Sequence, residues 1–307
     1  MPMRITGMSS GLDTEKMIKD LMKAERMPIN KLLQKKQSLE WKVESYSNMN
    51  LKIASLRESV SQARFSGNWS KLDAGGNVVR ISEDEMVAKI KDIVNKYNDT
   101  VSTLNTKTTE KVYRNYQPLT SEEKDAMSDR DIAAWEDKAK SGNLRNDNIL
   151  GSALSSLRKI ASTTVGGGNP NYDTLTELGI MTPAYSKGSP DNGKLIIDET
   201  KLRAAIQADP DAVVQTFTSQ TSGNTGLFQR IFDIANDAII SISRKINGGV
   251  NTAESLNMQI DKIDSKVEQR NKVLDKKEDR YYAMFANMEK AISNGNSQLS
   301  WLSSQFS

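Results

Sequence analysis

Two stretches of this chain place apolar residues at alternating steps of four and three. Near the C-terminus the stripe runs through Leu256, Ile260, Ile263, Val267, Leu274, Tyr281, Met284 and Met288, with Arg270 and Lys277 filling the two remaining slots. Near the N-terminus the same spacing takes in Ile29, Leu32, Leu39, Val43, Tyr46, Ile53 and Val60, interrupted by Lys36, Asn50 and Arg57. A repeat sustained over this length, with charged residues between, predicts coiled-coil seams rather than ordinary amphipathic helices. The seam residues are Leu39, Val43, Tyr46, Asn50 and Ile53 on one helix, and Ile260, Ile263, Val267, Leu274 and Tyr281 on the other. A long helix cannot bury such a stripe alone. An antiparallel pair joining the two ends meets the requirement; packing of each stripe on the middle of the chain, or on another copy, is the alternative. Asn50 at a seam position is the kind of polar residue that fixes register or oligomer state.

The stretch between the stripes has another character. Asp13 or Thr14 caps a first helix with Met17, Ile18, Leu21 and Met22 on its apolar face, and Pro28 predicts a kink. Ser66 to Asn77 is Gly- and Asn-rich and reads as a linker or turn, followed by one short strand at Val78 to Ile81. Ser82 with Glu85, and Thr120 with Glu123, are capping-box patterns. The helices expected after them carry Met86, Ile90, Ile93, Val94, Tyr97, Val101 and Leu104, and then Met127 to Trp135. A further helix spans Ile149 to Thr163 and stops at Gly166-Gly167-Gly168, a glycine run with neither the preceding strand nor the lysine of a phosphate-binding loop. The period then changes to two, and Leu178 to Asp198 reads as a β-hairpin turning at Asn192-Gly193. Asp198 and Asp209-Pro210 each open a helix, and Leu227 to Ile246 is a strongly apolar one.

Composition narrows the chemistry. Among 307 residues there is no histidine and no cysteine, which removes Ser-His-Asp triads, cysteine nucleophiles, disulfides and the usual zinc sites together. The nearest paired carboxylates are Asp198 with Glu199 and Asp129 with Asp131, and Asp198 is better explained as a helix cap. No cofactor is expected, and no enzyme activity. A net charge of +3, from 42 basic and 39 acidic residues in mixed order, offers no basic face for nucleic acid. No apolar run approaches the roughly twenty residues needed to span a bilayer, and the first fifteen residues lack the apolar core of a cleavable signal.

Three motif groups resemble the flagellar filament cap protein family (FliD, hook-associated protein 2). The first is Arg4-Ile5-Thr6-Gly7, Ser10-Gly11-Leu12-Asp13, Leu21-Met22 and Ala24-Glu25-Arg26. The second comprises Gly179-Ile180, Gly193-Lys194-Leu195, Asp198-Glu199, Lys201-Leu202 and Asp209-Pro210. The third is Phe285, Met288-Glu289, Asn296-Ser297-Gln298, Trp301-Leu302 and Ser304-Gln305-Phe306. The resemblance covers residues 1 to about 65 and about 82 to 307. It implies an axial flagellar protein, exported without a cleaved signal peptide, that forms a homo-oligomeric ring at the extracellular filament tip, where flagellin is folded, inserted and kept from leaking. The implied partners are other copies of itself and flagellin, with hook-filament junction proteins and an export chaperone beside them. A hook-filament junction (adapter) protein is the alternative role. Other members carry a large β-rich segment where this chain has only Ser66 to Ile81.

The expected fold class is mainly α with a small β-hairpin, long terminal helices forming a coiled coil, and a helical-bundle head. The expected divisions are an N-terminal leg, 1–40; a coiled-coil helix of the head, 41–66; a linker in place of the family's central domains, 67–82; a helical head with the hairpin, 83–250; a C-terminal coiled-coil helix, 251–290; and a leg tail, 291–307. The tail helix is expected to break at Asn294-Gly295-Asn296. Residues expected to contact flagellin or another copy are Ile5, Leu12, Ile18, Leu21, Phe285, Met288, Leu299, Trp301, Leu302 and Phe306. Large apolar side chains on so polar a tail have little local core to join. Packing among these same residues within one molecule is the competing arrangement.

Overall fold

The computed structural model describes residues 11–165, 169–186, 188–221, 224–249 and 255–306. Helix predominates: α1 (Thr14–Ser61), α2 (Glu83–Thr109), α3 (Ser121–Asp125), α4 (Asp129–Lys140), α5 (Asn148–Ile160), α6 (Glu199–Ala208), α7 (Pro210–Thr218), α8 (Leu227–Asn247) and α9 (Leu256–Gln305). Three antiparallel strand pairs accompany them: β1 (Ser70–Leu72) with β2 (Val78–Arg80), β3 (Ile180–Met181) with β4 (Ile196–Ile197), and β5 (Gln220–Thr221) with β6 (Asn224–Thr225). No helix among the described residues is long and apolar enough to cross a membrane.

The chain divides into two compact units. One comprises residues 1–39, 117–132 and 258–307; the other comprises 40–116 and 133–257. Helix α1 contributes to both, up to Leu39 in the first and from Glu40 in the second.

In the second unit, α5 packs on α8 and α2, α6 packs on α2, and α7 packs on α8. The capping signals are realised. Ser82 and Glu85 cap α2 reciprocally, Thr120 and Glu123 do the same for α3, and the carboxylates of Asp147, Asp198 and Asp209 accept from the first turns of α5, α6 and α7. Each satisfies donors that a helix start leaves without an intrahelical partner. Ile90, Tyr97, Val101 and Leu104 of α2 are fully buried, as their spacing predicts.

Ser66 to Ile81 turns at Asp73 to Asn77 as expected, but as an ordered 3-10 turn and hairpin with two strands in place of one. The anchor is Trp69, fully buried and stacked on Phe217 and Phe228 at centroid distances of 6.3 and 6.1 Å. Two local expectations fail for identifiable reasons. Helix α1 runs through Pro28 unbroken. Proline in a helix interior costs about 3 kcal/mol, and here Met22 and Ile29, on either side of it, are both buried in one apolar cluster that offsets the cost. Helix α9 likewise continues through Asn294-Gly295-Asn296. One glycine costs only about 1 kcal/mol and does not stop a helix already propagating. The Gly166-Gly167-Gly168 run lies outside the described residues.

The expected hairpin is present, joined through a long loop. Ile180 faces Ile197 and Met181 faces Ile196, so the connection is a long loop rather than a two-residue turn. Asn192-Gly193 does turn, with Lys194 N–H donating to Asp191 O, but it turns inside that loop. Two motif glycines make the close contacts. Gly179 has φ +77° and a Cβ there would lie 2.8 Å from Lys201 Cβ; Gly193 has φ +87° and a Cβ there would lie 2.5 Å from Arg158 Cγ. Neither backbone conformation nor space admits another residue without strain.

Candidate functional site

The first unit is built on a helical pair. Lys36 Nζ meets Asp264 Oδ1 at 2.6 Å, and Lys277 Nζ meets Glu25 Oε2 at 2.6 Å. Moving back along α1 therefore moves forward along α9, and the pair is antiparallel. Between the ion pairs and beyond them lies one apolar cluster: Ile18, Met22, Ile29, Leu274 and Phe285 are buried in it, and Val267, Tyr281, Tyr282 and Met288 pack against it. Tyr281 also donates to Glu25 Oε1 at 3.4 Å. The Lys277 ammonium, by donating to Glu25, holds that carboxyl below the usual carboxylate range. The stretch before α4 belongs to the same unit, with Gln34 Nε2 donating to Pro118 O and Lys23 3.8 Å from Glu122.

Toward its C-terminal end α9 carries exposed apolar side chains, although Glu289 is still buried. Eleven residues back from Glu25 and forward from Lys277 lie Thr14, the first residue of α1, and Met288. Past that point α9 continues to Gln305. Leu299 and Leu302 share a face, Phe306 follows just beyond the helix end, and all three are exposed together with Trp301, which is 62% exposed; Phe306 is 87% exposed.

The expected contact residues therefore separate into two sets. Ile18 and Phe285 are buried in the α1–α9 cluster, with Met288 packed against it. Leu12, Leu21, Leu299, Trp301, Leu302 and Phe306 are exposed. Ile5 lies outside the described residues.

The expected seam is also redrawn. Val267, Leu274 and Tyr281 lie at the α1–α9 cluster, Ile263 is buried, and Ile260 is half-buried. Phe285 replaces Met284 as the buried position, because two successive steps of four from Lys277 bring the larger aromatic inward. On α1 the pairing residues lie earlier than the stripe suggested. Val43, Tyr46, Asn50 and Ile53 belong to the second unit, while Leu39 ends the first and is half-buried. Tyr46, fully buried, donates to Asp147 Oδ2, and Ile53 is buried as well. Asn50 Oδ1 is buried with no hydrogen-bond partner.

No group of three or more His, Cys, Asp or Glu side chains able to hold a metal occurs among the described residues. Asp198 caps α6, and Glu199 pairs with Lys91 and Arg203, so that carboxylate pair is committed to structure.

Sequence reasoning missed a polar lattice that fastens the β3–β4 loop onto α2 and α5. Asn105 Nδ2 donates to Pro190 O and Asn192 O, Arg158 Nε donates to Asn192 O, and Tyr97 Oη donates to Leu157 O and Gly193 O. Arg158 also donates to Asn105 Oδ1. Asn98 and Asn105, two polar residues on an otherwise apolar helix face, were the available signal.

The model described as Flagellar hook-associated protein 2 C-terminus matches residues 46–297. The chain belongs to the flagellar hook-associated protein 2 family. Among curated relatives bearing that name, the protein of Halalkalibacterium halodurans is 31% identical over 251 residues, covering 74% of this chain and 46% of the relative. That of Thermotoga maritima is 29% identical over 231 residues, 73% and 34% of the two chains. That of Escherichia coli K12 is 25% identical over 226 residues, 71% and 40%. The matched stretch thus spans less than half the length of each of these family members. The matched range includes both motif glycines, the loop lattice and the α1–α9 pairing residues of α9.

Proposed function

We propose that this protein is a structural assembly factor of the flagellar axis that acts extracellularly as an oligomeric cap at the filament tip. In this reading it promotes folding and insertion of flagellin and prevents its loss. The helical-pair unit is the part that meets the filament, and the second unit, with the short β1–β2 hairpin, serves as the head. The observation that carries the reading is the end of α9, where Leu299, Trp301, Leu302 and Phe306 stand exposed on a polar helix. Exposed apolar side chains grouped in this way mark a partner surface. A helix presenting one apolar edge suits packing against another helix. Contacts of this modest size suit a partner that must be released and re-bound after each flagellin insertion.

The test uses cells that make flagellin but lack their own cap. Adding the purified chain should lower free flagellin in the medium and lengthen filaments. The variant with Leu299, Trp301, Leu302 and Phe306 all changed to Ser should keep its helix content by circular dichroism yet lose this activity. If the variant works as well as the native chain, the α9 end is not the filament contact; if neither chain reduces leakage, the cap reading fails for this protein.

A further inference from the structure

The α1–α9 pair carries two grooves of different character. One, of about 560 Å³, sets three basic side chains against four carboxylates, with Glu122 of α3 among the latter. The chain itself therefore brings acidic residues to that side. The other groove, of about 590 Å³, has an apolar floor of Pro28, Ile29, Leu32, Val273 and Leu274. Its rim is basic. Lys266 and Arg270 are exposed, one helical turn apart, and have no ion-pair partner among the described residues, while the single carboxylate, Glu25, is already bound by Lys277. Val273 is 55% exposed within this lining. From Lys266 to Lys277 the groove runs roughly 16 Å at about 1.5 Å per residue, or three helical turns.

We propose that this groove docks an amphipathic helix whose apolar stripe is flanked by acidic residues. Two parallel-sided helices with an apolar trough between them are completed by a third helix that supplies the missing layer. The unpaired cations select its charge: a carboxylate one turn from another meets both Lys266 and Arg270, whereas a basic helix is repelled. Complementary rim charges set partner choice and association rate more than total affinity. This inference stands on the groove alone and does not depend on the cap reading.

The probe is a pair of labelled, helix-forming synthetic peptides of about three to five turns, with leucines on one stripe and either glutamates or lysines beside it. Fluorescence anisotropy with the full chain should give at least about tenfold tighter binding for the glutamate peptide, weakening as salt rises. Lys266→Glu with Arg270→Glu should reverse the preference, and Lys266→Gln with Arg270→Gln should abolish it; both sites are exposed, and helix content is checked by circular dichroism. Equal binding of the two peptides, no binding of either, or a preference unchanged in both variants would overturn the proposal. So would sedimentation showing the groove filled by a second copy, as a dimer dissociated by Val273→Glu.

Discussion

The side chain of Asn98 pairs with both backbone groups of Leu195: its Oδ1 accepts from Leu195 N at 2.7 Å, and its Nδ2 donates to Leu195 O at 2.8 Å. A carboxamide carries one acceptor and a donor pair in nearly the geometry of a peptide group. Asn98 therefore takes the place of a neighbouring strand just before β4, where Leu195 is buried. Replacement by Ala strands both groups. We expect Asn98→Ala to lower stability by about 2 kcal/mol in urea titration, and to speed amide exchange at Leu195. An unchanged exchange rate there would sink this account of the clamp.

Tyr46 and Asp147 form a second coupling. One carboxylate oxygen of Asp147 caps α5, accepting from Ile149 and Leu150 at 3.0 and 3.1 Å, while the other accepts from the buried Tyr46 hydroxyl. Burial first, and the Asp147 bond second, push the Tyr46 phenol well above its ordinary value. Hydrogen bonds to a charged partner contribute about 1.5–3 kcal/mol, so Tyr46→Phe should cost about 2 kcal/mol. Thermal unfolding followed at a probe in α5 reads the loss directly, and a variant as stable as the native chain counts against the bond.

The α2 capping box is pH-sensitive. Lys71 donates to Glu85, and Ser82 N–H donates to it as well, which together bring its pKa from 4.5 down to about 2. A depressed folded-state value means the carboxylate contributes stability that is fully present above about 4.5 and lost as pH falls toward about 2. Carbon chemical shifts of the Glu85 carboxyl should titrate in that low window. A midpoint at the ordinary glutamate value would show the box open in solution.

Within the α1–α9 pair, packing should outweigh charge. Glu25 and Lys277 are both about one-third exposed, so a double-mutant cycle at these positions should give under about 1 kcal/mol. Leu274→Ala empties a buried position in the same cluster and should cost about 2–4 kcal/mol. Melting of the helical signal ranks the two, and a coupling energy larger than the Leu274 cost would reverse the assignment.

Asn50 gives a prediction of opposite sign. Its Oδ1 is buried without a partner, so Asn50→Leu removes an unsatisfied acceptor and should stabilise the chain by about 1 kcal/mol. Native mass spectrometry on the same variant tests the further expectation that Asn50 restricts oligomeric state: a broader distribution supports it, and a single unchanged species removes it.

Much of this was legible in the residues. Ser82 with Glu85, Thr120 with Glu123, Asp198, and Asp209-Pro210 mark helix starts because a cap is satisfied within four residues, and the structure uses every one. The apolar face of α2 was legible for the same reason: its period is a local property. The β1 strand was not, because Ser70 to Leu72 becomes a strand through Trp69, whose stacking partners Phe217 and Phe228 lie far along the chain.

The sequence by itself determined that two long helices exist and where most helices begin, since both follow from short-range backbone chemistry. It did not determine which part of each stripe meets which partner. A heptad stripe is the same on every turn, so Val43, Tyr46 and Ile53 looked as ready to face α9 as Ile18, Met22 and Ile29. The tertiary structure broke that degeneracy. Asp147 claims Tyr46, Lys277 claims Glu25, and Phe285 rather than Met284 is buried, each through contact with a segment distant in the chain. Leu299, Trp301, Leu302 and Phe306 stay exposed beyond this pairing, on or just past the last turns of α9.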